Sequence, residues 1–204
     1  MSRTRSLVSW ILIGTGSLLC ASAILHYARG ARAQAEGRRW FEQNRAAAMG
    51  RPSTENPGIV TASRVESRSA AAGKPIARIR IPAARIDCVV FEGTDADTLE
   101  KGPGHVPGTE LPGQDTGSKN CVITGHRDSH FRHLGWLRPG HRVELDAPSG
   151  TTMYRVVSRE IVEPTAVRVL APTETKRLTL ITCYPFNYVG PAPKRLIVVA
   201  QPVS

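Results

Sequence analysis

Short apolar runs separated by Gly- and Pro-rich breaks dominate the carboxyl-terminal two-thirds of the chain. Residues 76–82, Ile-Ala-Arg-Ile-Arg-Ile-Pro, alternate in part between apolar and charged positions, which predicts a half-buried strand. Residues 86–91 predict a second strand. Residues 94–101 predict a short helical turn with Thr94 as its N-cap. Residues 120–124, 142–145 and 153–157 predict further strands, and the last two flank the turn-prone Pro148-Ser149-Gly150. Residues 177–182 and 195–200 complete the set. Many short strands joined by Gly/Pro loops predict an all-β sandwich or barrel.

The amino-terminal third has a different texture. Residues 7–25 are 19 positions without a charge, preceded by Arg3 and Arg5. As a helix the run is about 28 Å long, close to the hydrocarbon thickness of a bilayer. It predicts an N-terminal transmembrane signal anchor over residues 1–27. Ala31-Arg32-Ala33 fits the small-x-small pattern of a cleavage site, and four arginines follow the span at positions 29, 32, 38 and 39. The positive-inside rule disfavours that flank for an exported carboxyl terminus. The run is nevertheless longer than a signal-peptide core, so the reading is an uncleaved anchor. Residues 31–49, rich in Ala, Arg, Gln and Glu, predict a helix continuing from the span, stopped by Gly50-Arg51-Pro52. Residues 51–75 are rich in Ser, Ala, Pro and Gly without apolar periodicity, which predicts a flexible linker. The organisation is thus an anchor (1–27), a stalk and linker (28–75) and a folded domain (76–204).

Composition narrows the function class. The formal net charge of +10 invites a nucleic-acid reading, but its distribution argues against one. Residues 1–75 carry eleven Lys/Arg and four Asp/Glu, a balance of +7, whereas residues 76–204 carry sixteen and thirteen, a balance of +3. The folded part is nearly neutral, and the charge lies on the membrane-proximal tail. Hydrophobic residues make up 41% of the chain and aromatics only 5%, so the core rests on Val, Ile, Leu and Ala. The four cysteines form no disulfide framework: Cys20 lies in the apolar run, Cys88 and Cys121 lie within predicted strands, and Cys183 closes one. Cys88 and Cys121 read as small buried hydrophobes. No Cys/His spacing matches a zinc site, and His130 and His133 read as surface residues.

The chemistry gathers at strand ends. The run Leu178-Thr179-Leu180-Ile181-Thr182-Cys183 delivers a thiol to the end of a strand. Cys121-Val122-Ile123-Thr124 ends at Gly125-His126-Arg127-Asp128, and Arg195 opens the last strand. A thiol, an imidazole and a guanidinium supply a nucleophile, a proton-transfer group and a fixed positive charge, the set needed for acyl transfer. Cys183 is the candidate nucleophile, His126 the general acid/base and Arg195 the oxyanion and substrate-orienting group. The backbone N–H of Tyr184 is a second oxyanion donor, Thr182 positions substrate, and His105 is a loop-structuring or substrate-side residue.

The Thr-Leu-Ile-Thr-Cys run resembles the Thr-Leu-x-Thr-Cys signature of sortases, the cysteine transpeptidases of bacterial surfaces. Gly-His-Arg-Asp-Ser-His-Phe at 125–131, Thr-Cys-Tyr-Pro-Phe at 182–186, Gly-Pro-Ala-Pro-Lys-Arg at 190–195 and Gly-Pro-Gly-His-Val-Pro-Gly-Thr at 102–109 are similar to class D sortases in particular. The match covers residues 76–203, with the motifs in the family's order. The resemblance selects the closed barrel of about eight strands, with short helices in loops. It implies cleavage of a C-terminal sorting signal of the Leu-Pro-x-Thr-Gly/Ala type through a thioester on Cys183. The acyl group would then pass to an amine, a wall peptide or a protein lysine, attaching or polymerising surface or secreted proteins. It also places the enzyme on the cytoplasmic membrane as a single-pass protein, its catalytic domain outside and its anchor in the lipid bilayer. The chemistry requires no cofactor. Some relatives respond to Ca²⁺, and no clustered carboxylate motif marks such a site here.

Two rival readings have distinct signatures. A Cys/His cell-wall peptidase or amidase would hydrolyse rather than transfer, but papain-like chains place Cys before His, and Arg195 has no role in that scheme. A catalytically silent surface adaptor on the same barrel would have no need of an intact His126, Cys183 and Arg195.

Overall fold

The computed structural model describes residues 2–49, 71–115 and 117–203; at positions 2–8, 11, 26 and 46–49 it describes the backbone. In chain order the elements are α1 (Ser2–Met49), β1 (Pro75–Ile81), β2 (Ile86–Glu92), α2 (Ala96–Lys101), β3 (Gly104–His105), β4 (Asn120–Gly125), β5 (Arg142–Ala147), β6 (Gly150–Val162), β7 (Arg177–Tyr184) and β8 (Lys194–Pro202). Short 3₁₀ turns occupy Pro82–Ala84, Leu134–Trp136 and Val167–Leu170. The strands close into an eight-stranded barrel in the order β1-β2-β3-β4-β7-β8-β6-β5. The expected all-β barrel is therefore the observed one.

Alternation builds the barrel. On β7, Leu178 and Leu180 face the interior, and on β8 so do Leu196, Val198 and Ala200. The intervening Ile181, Ile197 and Val199 pack on a separate outer cluster with Val162 and Val169. Successive residues of a strand point to opposite faces, so one strand serves both surfaces. Ile79, Ile81, Ile123, Phe131 and Leu145 are fully buried in the interior, which side chains fill. Burying each such side chain stabilises the fold by about 1.5–3 kcal/mol before entropy is set against it.

Two elements extend beyond the sequence-based expectation. Strand β6 runs 13 residues, pairing with β5 through its first half and with β8 through its second. A register shift between Val156 and Ser158 interrupts the ladder with β8. Strand β3, two residues in a Gly/Pro loop, bridges β2 and β4. The cap of α2 is also displaced by one residue: Asp95, not Thr94, accepts the Thr98 N–H at 2.9 Å.

The helix expected at 31–49 is part of a single helix, α1, of 48 residues. Among the described residues no helix is long and apolar enough to cross a membrane. The expected span includes Leu7, Val8 and Ile11, whose side chains lie outside the described set. Nearly all of the expected linker, at positions 51–70, lies outside the described residues as well. The carboxyl-terminal half of α1 lies along the barrel, against α2, β1 and β2. Gln34 is buried there: its side chain accepts the Val89 N–H at 2.7 Å and donates to the carbonyls of Val89 (3.0 Å) and Lys101 (2.8 Å). Phe41 is buried one turn further on from Gly37, and Arg45 lies 3.7 Å from the buried Asp146.

Candidate active site

Strand β4 is parallel to β7, and β7 is antiparallel to β8. The carboxyl ends of β4 and β7 and the start of β8 therefore meet at one end of the barrel. Gly125 is paired with Thr182, and Cys183 lies directly opposite Arg195. His126 follows Gly125 immediately and is exposed, while Cys183 and Arg195 are half-buried. By strand alternation Cys183 and Arg195 stand on the outer face, in line with Ile181 and Ile197 and not with the interior leucines. Topology thus brings together the three residues that the sequence places 57 and 12 positions apart.

The histidine is positioned from beneath. Gly125 abuts the buried Phe131 ring: a β-carbon at 125 would meet it at 2.9 Å. Phe131 also closes a tight turn, its N–H donating to the His126 carbonyl at 3.1 Å. The Thr182 hydroxyl is buried and donates to the Gly125 carbonyl at 2.7 Å, tying the end of β4 to the residue before the thiol. Tyr184 turns its ring toward the core and meets Phe186 edge-on at 6.1 Å between centroids. Arg195 donates from Nη1 to the carbonyls of Ala192 (3.1 Å) and Lys194 (2.9 Å). A guanidinium has five N–H donors, and these two bonds draw on one nitrogen only. His105 sits away from this surface. It is buried, with Nδ1 2.8 Å from the Glu92 carboxylate and Nε2 3.0 Å from both the Glu110 carbonyl and the Thr109 hydroxyl. This network organises the β3 loop.

Two residues not singled out in the sequence hold neighbouring loops, Arg127 at the thiol end of β4 and Asn120 at its far end. Arg127 donates to the carbonyls of Pro185 (2.9 Å), Tyr188 (2.7 Å) and Gly190 (2.9 Å), pinning the β7–β8 loop to the residue next to His126. Asn120 is fully buried at the start of β4. It donates to the carbonyls of Val169 (3.0 Å) and Ala171 (2.9 Å) and accepts from Arg177 (3.1 Å) and Thr179 (2.7 Å). Those bonds fix the β6–β7 connection over the outer apolar cluster. The signal for Arg127 was its place inside the His motif; for Asn120 it was only a polar head on an apolar strand.

The other cysteines and histidines separate from this centre. Cys88 and Cys121 are buried free thiols whose pKa values burial pushes far up, so both stay protonated and inert. His130 is half-buried beside His126; burial, then the neighbouring imidazole, lowers its pKa and favours its neutral form. Among the described residues no cluster of three or more His, Cys, Asp or Glu is placed to hold a metal ion.

Comparison with known proteins places this arrangement. Residues 79–203 match the family model of the sortase domain. Sortase D of Bacillus subtilis (strain 168) is 38% identical over 127 residues, 62% of this chain, and the chain spans 63% of that relative's length. A Clostridium perfringens sortase D5 transpeptidase shares the fold, with a TM-score of 0.64 at 22% identity over 87% of this chain and 99% of that one. A Clostridium perfringens sortase C, solved with the C-terminal cell wall sorting motif, matches with a TM-score of 0.59 at 27% identity, covering 65% of this chain and 72% of that one.

Proposed function

Because the chain belongs to the sortase family, we propose that it is a membrane-anchored cysteine transpeptidase of the class D type. It cleaves a C-terminal sorting signal of the Leu-Pro-x-Thr-Gly/Ala kind and passes the acyl group to an amine. The observation that carries this reading is the register of β4, β7 and β8, which sets His126, Cys183 and Arg195 at one end of the barrel. The outer apolar cluster of Val162, Val169, Ile181 and Ile197 lies next to the thiol on the same face, and it suits the apolar residues of such a signal.

The roles follow from the chemistry. The Cys183 thiolate attacks the scissile carbonyl, and the C–N bond breaks to leave a thioester. His126 protonates the departing amine and later takes a proton from the incoming one, the general acid/base work of an imidazole. Arg195 directs its remaining donors at the developing oxyanion, with the Tyr184 N–H as the second donor. Thr182 acts through its bond to the Gly125 carbonyl, holding the histidine strand in register with the thiol. Residues 7–25 insert in the cytoplasmic membrane and keep the domain on its outer side, where substrates arrive bearing sorting signals.

The test is a peptide-library assay read by mass spectrometry with and without added amines. Transfer products that appear with the amine support transpeptidation, whereas hydrolysis products alone favour a peptidase. Protease added to spheroplasts checks the topology: digestion of the domain with cytoplasmic markers intact supports the anchor. Protection, or a soluble form beginning at Gln34, contradicts it.

A further inference from the structure

The docked half of α1 runs along the barrel from one end to the other. Tyr27, Gly30 and Ala31 share a cleft with His126 and Asp128, at the end where β4 and β7 finish. Further along the helix, Trp40 shares a groove with Pro75 at the start of β1 and with Pro148 and Ser149 in the β5–β6 turn, at the opposite end. Arg45 lies 3.7 Å from Asp146 there. The helix therefore passes from the catalytic end to the far end, and its amino-terminal half projects beyond the catalytic end.

The docking fixes that direction. Gly30, Gln34, Gly37, Phe41 and Arg45 recur at helical spacing on the barrel side. A β-carbon at Gly30 would meet the Glu100 carbonyl at 3.0 Å, and one at Gly37 would meet the Val89 side chain at 2.9 Å. The two glycines let the helix approach closely, and Gln34 satisfies backbone groups of Val89 and Lys101 at the contact. The helix is uninterrupted from Ser2 to Met49, so the docked half sets the course of the projecting half. Residues 50–74 follow the docked half in the chain, so they add nothing to the distance between the barrel and the projecting half.

We infer that the catalytic end of the barrel is the face that meets the lipid bilayer, held by α1 at a fixed, short height. The inference rests on the reading that residues 7–25 insert in the membrane, and it adds which side of the domain looks back at the lipid. Leu25, the last residue of the apolar run, precedes Gly30 by five positions, a rise of about 8 Å. The headgroup region is roughly 5–8 Å deep on each side of a bilayer, so the His126 loop stands near its outer edge. The far end of the barrel, level with Arg45, stands about 22 Å further out. The surface at the catalytic end suits a lipid neighbour. Tyr27 is 83% exposed at the level of the interface, a depth that tyrosine favours. Val189 is 95% exposed on the β7–β8 loop, apolar surface that the protein leaves uncovered. Arg29, Arg32 and Arg132 are exposed on the α1 side against Asp128 and Glu100, which makes that rim weakly basic toward lipid phosphates. The site thus serves donors whose scissile bond is itself held close to the lipid.

The test uses the full chain in vesicles of phosphatidylcholine and phosphatidylglycerol. Cys20→Ala with Cys183→Ala removes the two thiols that are not buried, and a dye is then attached through Val189→Cys or Ser149→Cys. Energy transfer to acceptor-labelled headgroups should be at least threefold more efficient from position 189 than from 149. Equal transfer, or stronger transfer from 149, would overturn the inference. The active chain supplies a second readout. Leu-Pro-x-Thr-Gly peptides are tethered to lipid with the scissile bond at most about 10 Å or about 40 Å away, and the short tether should be cleaved at least fivefold faster, because a longer one dilutes the peptide near the surface. Seven alanines inserted after Leu25 lengthen α1 by about 10 Å and keep its docked face in place. They should slow short-tether cleavage at least fivefold and change cleavage of a soluble peptide less than twofold. Faster cleavage of the long tether by the unaltered chain, or indifference to the insertion, would also overturn the inference. Failure of the chain to float with the vesicles would remove the anchor reading and the inference with it. Absent cleavage of the soluble peptide would remove the transpeptidase reading alone, and the dye pair would still decide the orientation.

Discussion

Cys121 and Cys183 lie on neighbouring parallel strands, and their environments are opposite. Cys121 points into the barrel from β4, fully enclosed among Ile123, Leu178 and Tyr154, and burial drives its thiol strongly toward the protonated form. Cys183 stands on the outer face of β7, half-buried, opposite Arg195 and one strand from His126. Both are cysteines on short apolar strands. The face of the pleat separates the packing residue from the proposed nucleophile. The same division runs along β7 and β8, where inward leucines hold the barrel and outward residues carry the proposed chemistry.

The largest expected effects break this comparison directly. Cys183→Ala should abolish cleavage and transfer of a sorting-signal peptide with an unchanged circular dichroism spectrum. Cys121→Ala should keep most turnover and cost about 0.5–3 kcal/mol in chemical denaturation. Next comes Arg195. Arg195→Ala removes a donor aimed at developing charge and should lower the rate of peptide cleavage by ~10²–10³, or roughly 3–4 kcal/mol. Arg195→Lys keeps the charge, loses the planar fork and should recover only part. Alkylation of Cys183 by a small electrophile forms no oxyanion, so in Arg195→Ala it should fall less than cleavage does. An equal fall would mean that Arg195 mainly tunes the thiol.

The two faces of β7 sharpen the contrast. Leu180→Ala, directed inward at a fully buried position, should cost about 2–5 kcal/mol in unfolding free energy. Ile181→Ala, directed outward and only half-buried, should cost less stability and raise the KM for the donor peptide. Asn120→Ala strips the partner from two carbonyls and two donors beneath the β6–β7 connection. It should cost about 1–3 kcal/mol and loosen that loop in amide exchange.

Much of the proposed catalytic set was legible because it lies in contiguous words. Cys183, His126 and Arg195 each end or begin an apolar run, and strand-end placement can be read from periodicity alone. Their meeting could not be read that way. It depends on β4 and β7 pairing in parallel across the intervening β5 and β6, a crossover that no local pattern encodes. Strand β3 escaped notice because two residues in a Gly/Pro loop carry no periodicity. Strand β6 exceeded its predicted length because Ser158, Arg159 and Glu160 look like a loop until β8 pairs with them. The barrel-facing side of α1 was hidden for a related reason: glycine and glutamine look like breaks and solvent contacts until a surface closes over them. Arg127 and Asn120 act through backbone carbonyls of distant loops, and carbonyls have no sequence signature.

The central claim is that the outward thiol at the end of β7 carries the acyl group. Mass spectrometry of the full chain, quenched during turnover of a Leu-Pro-x-Thr-Gly peptide, tests it most directly. The account predicts an acyl adduct on the tryptic peptide containing Cys183. It also predicts that hydroxylamine or triglycine discharges the adduct and that Cys183→Ala lacks it. Peptide turnover with the adduct on the exposed Cys20, or with no cysteine adduct and undiminished in Cys183→Ala, would contradict it.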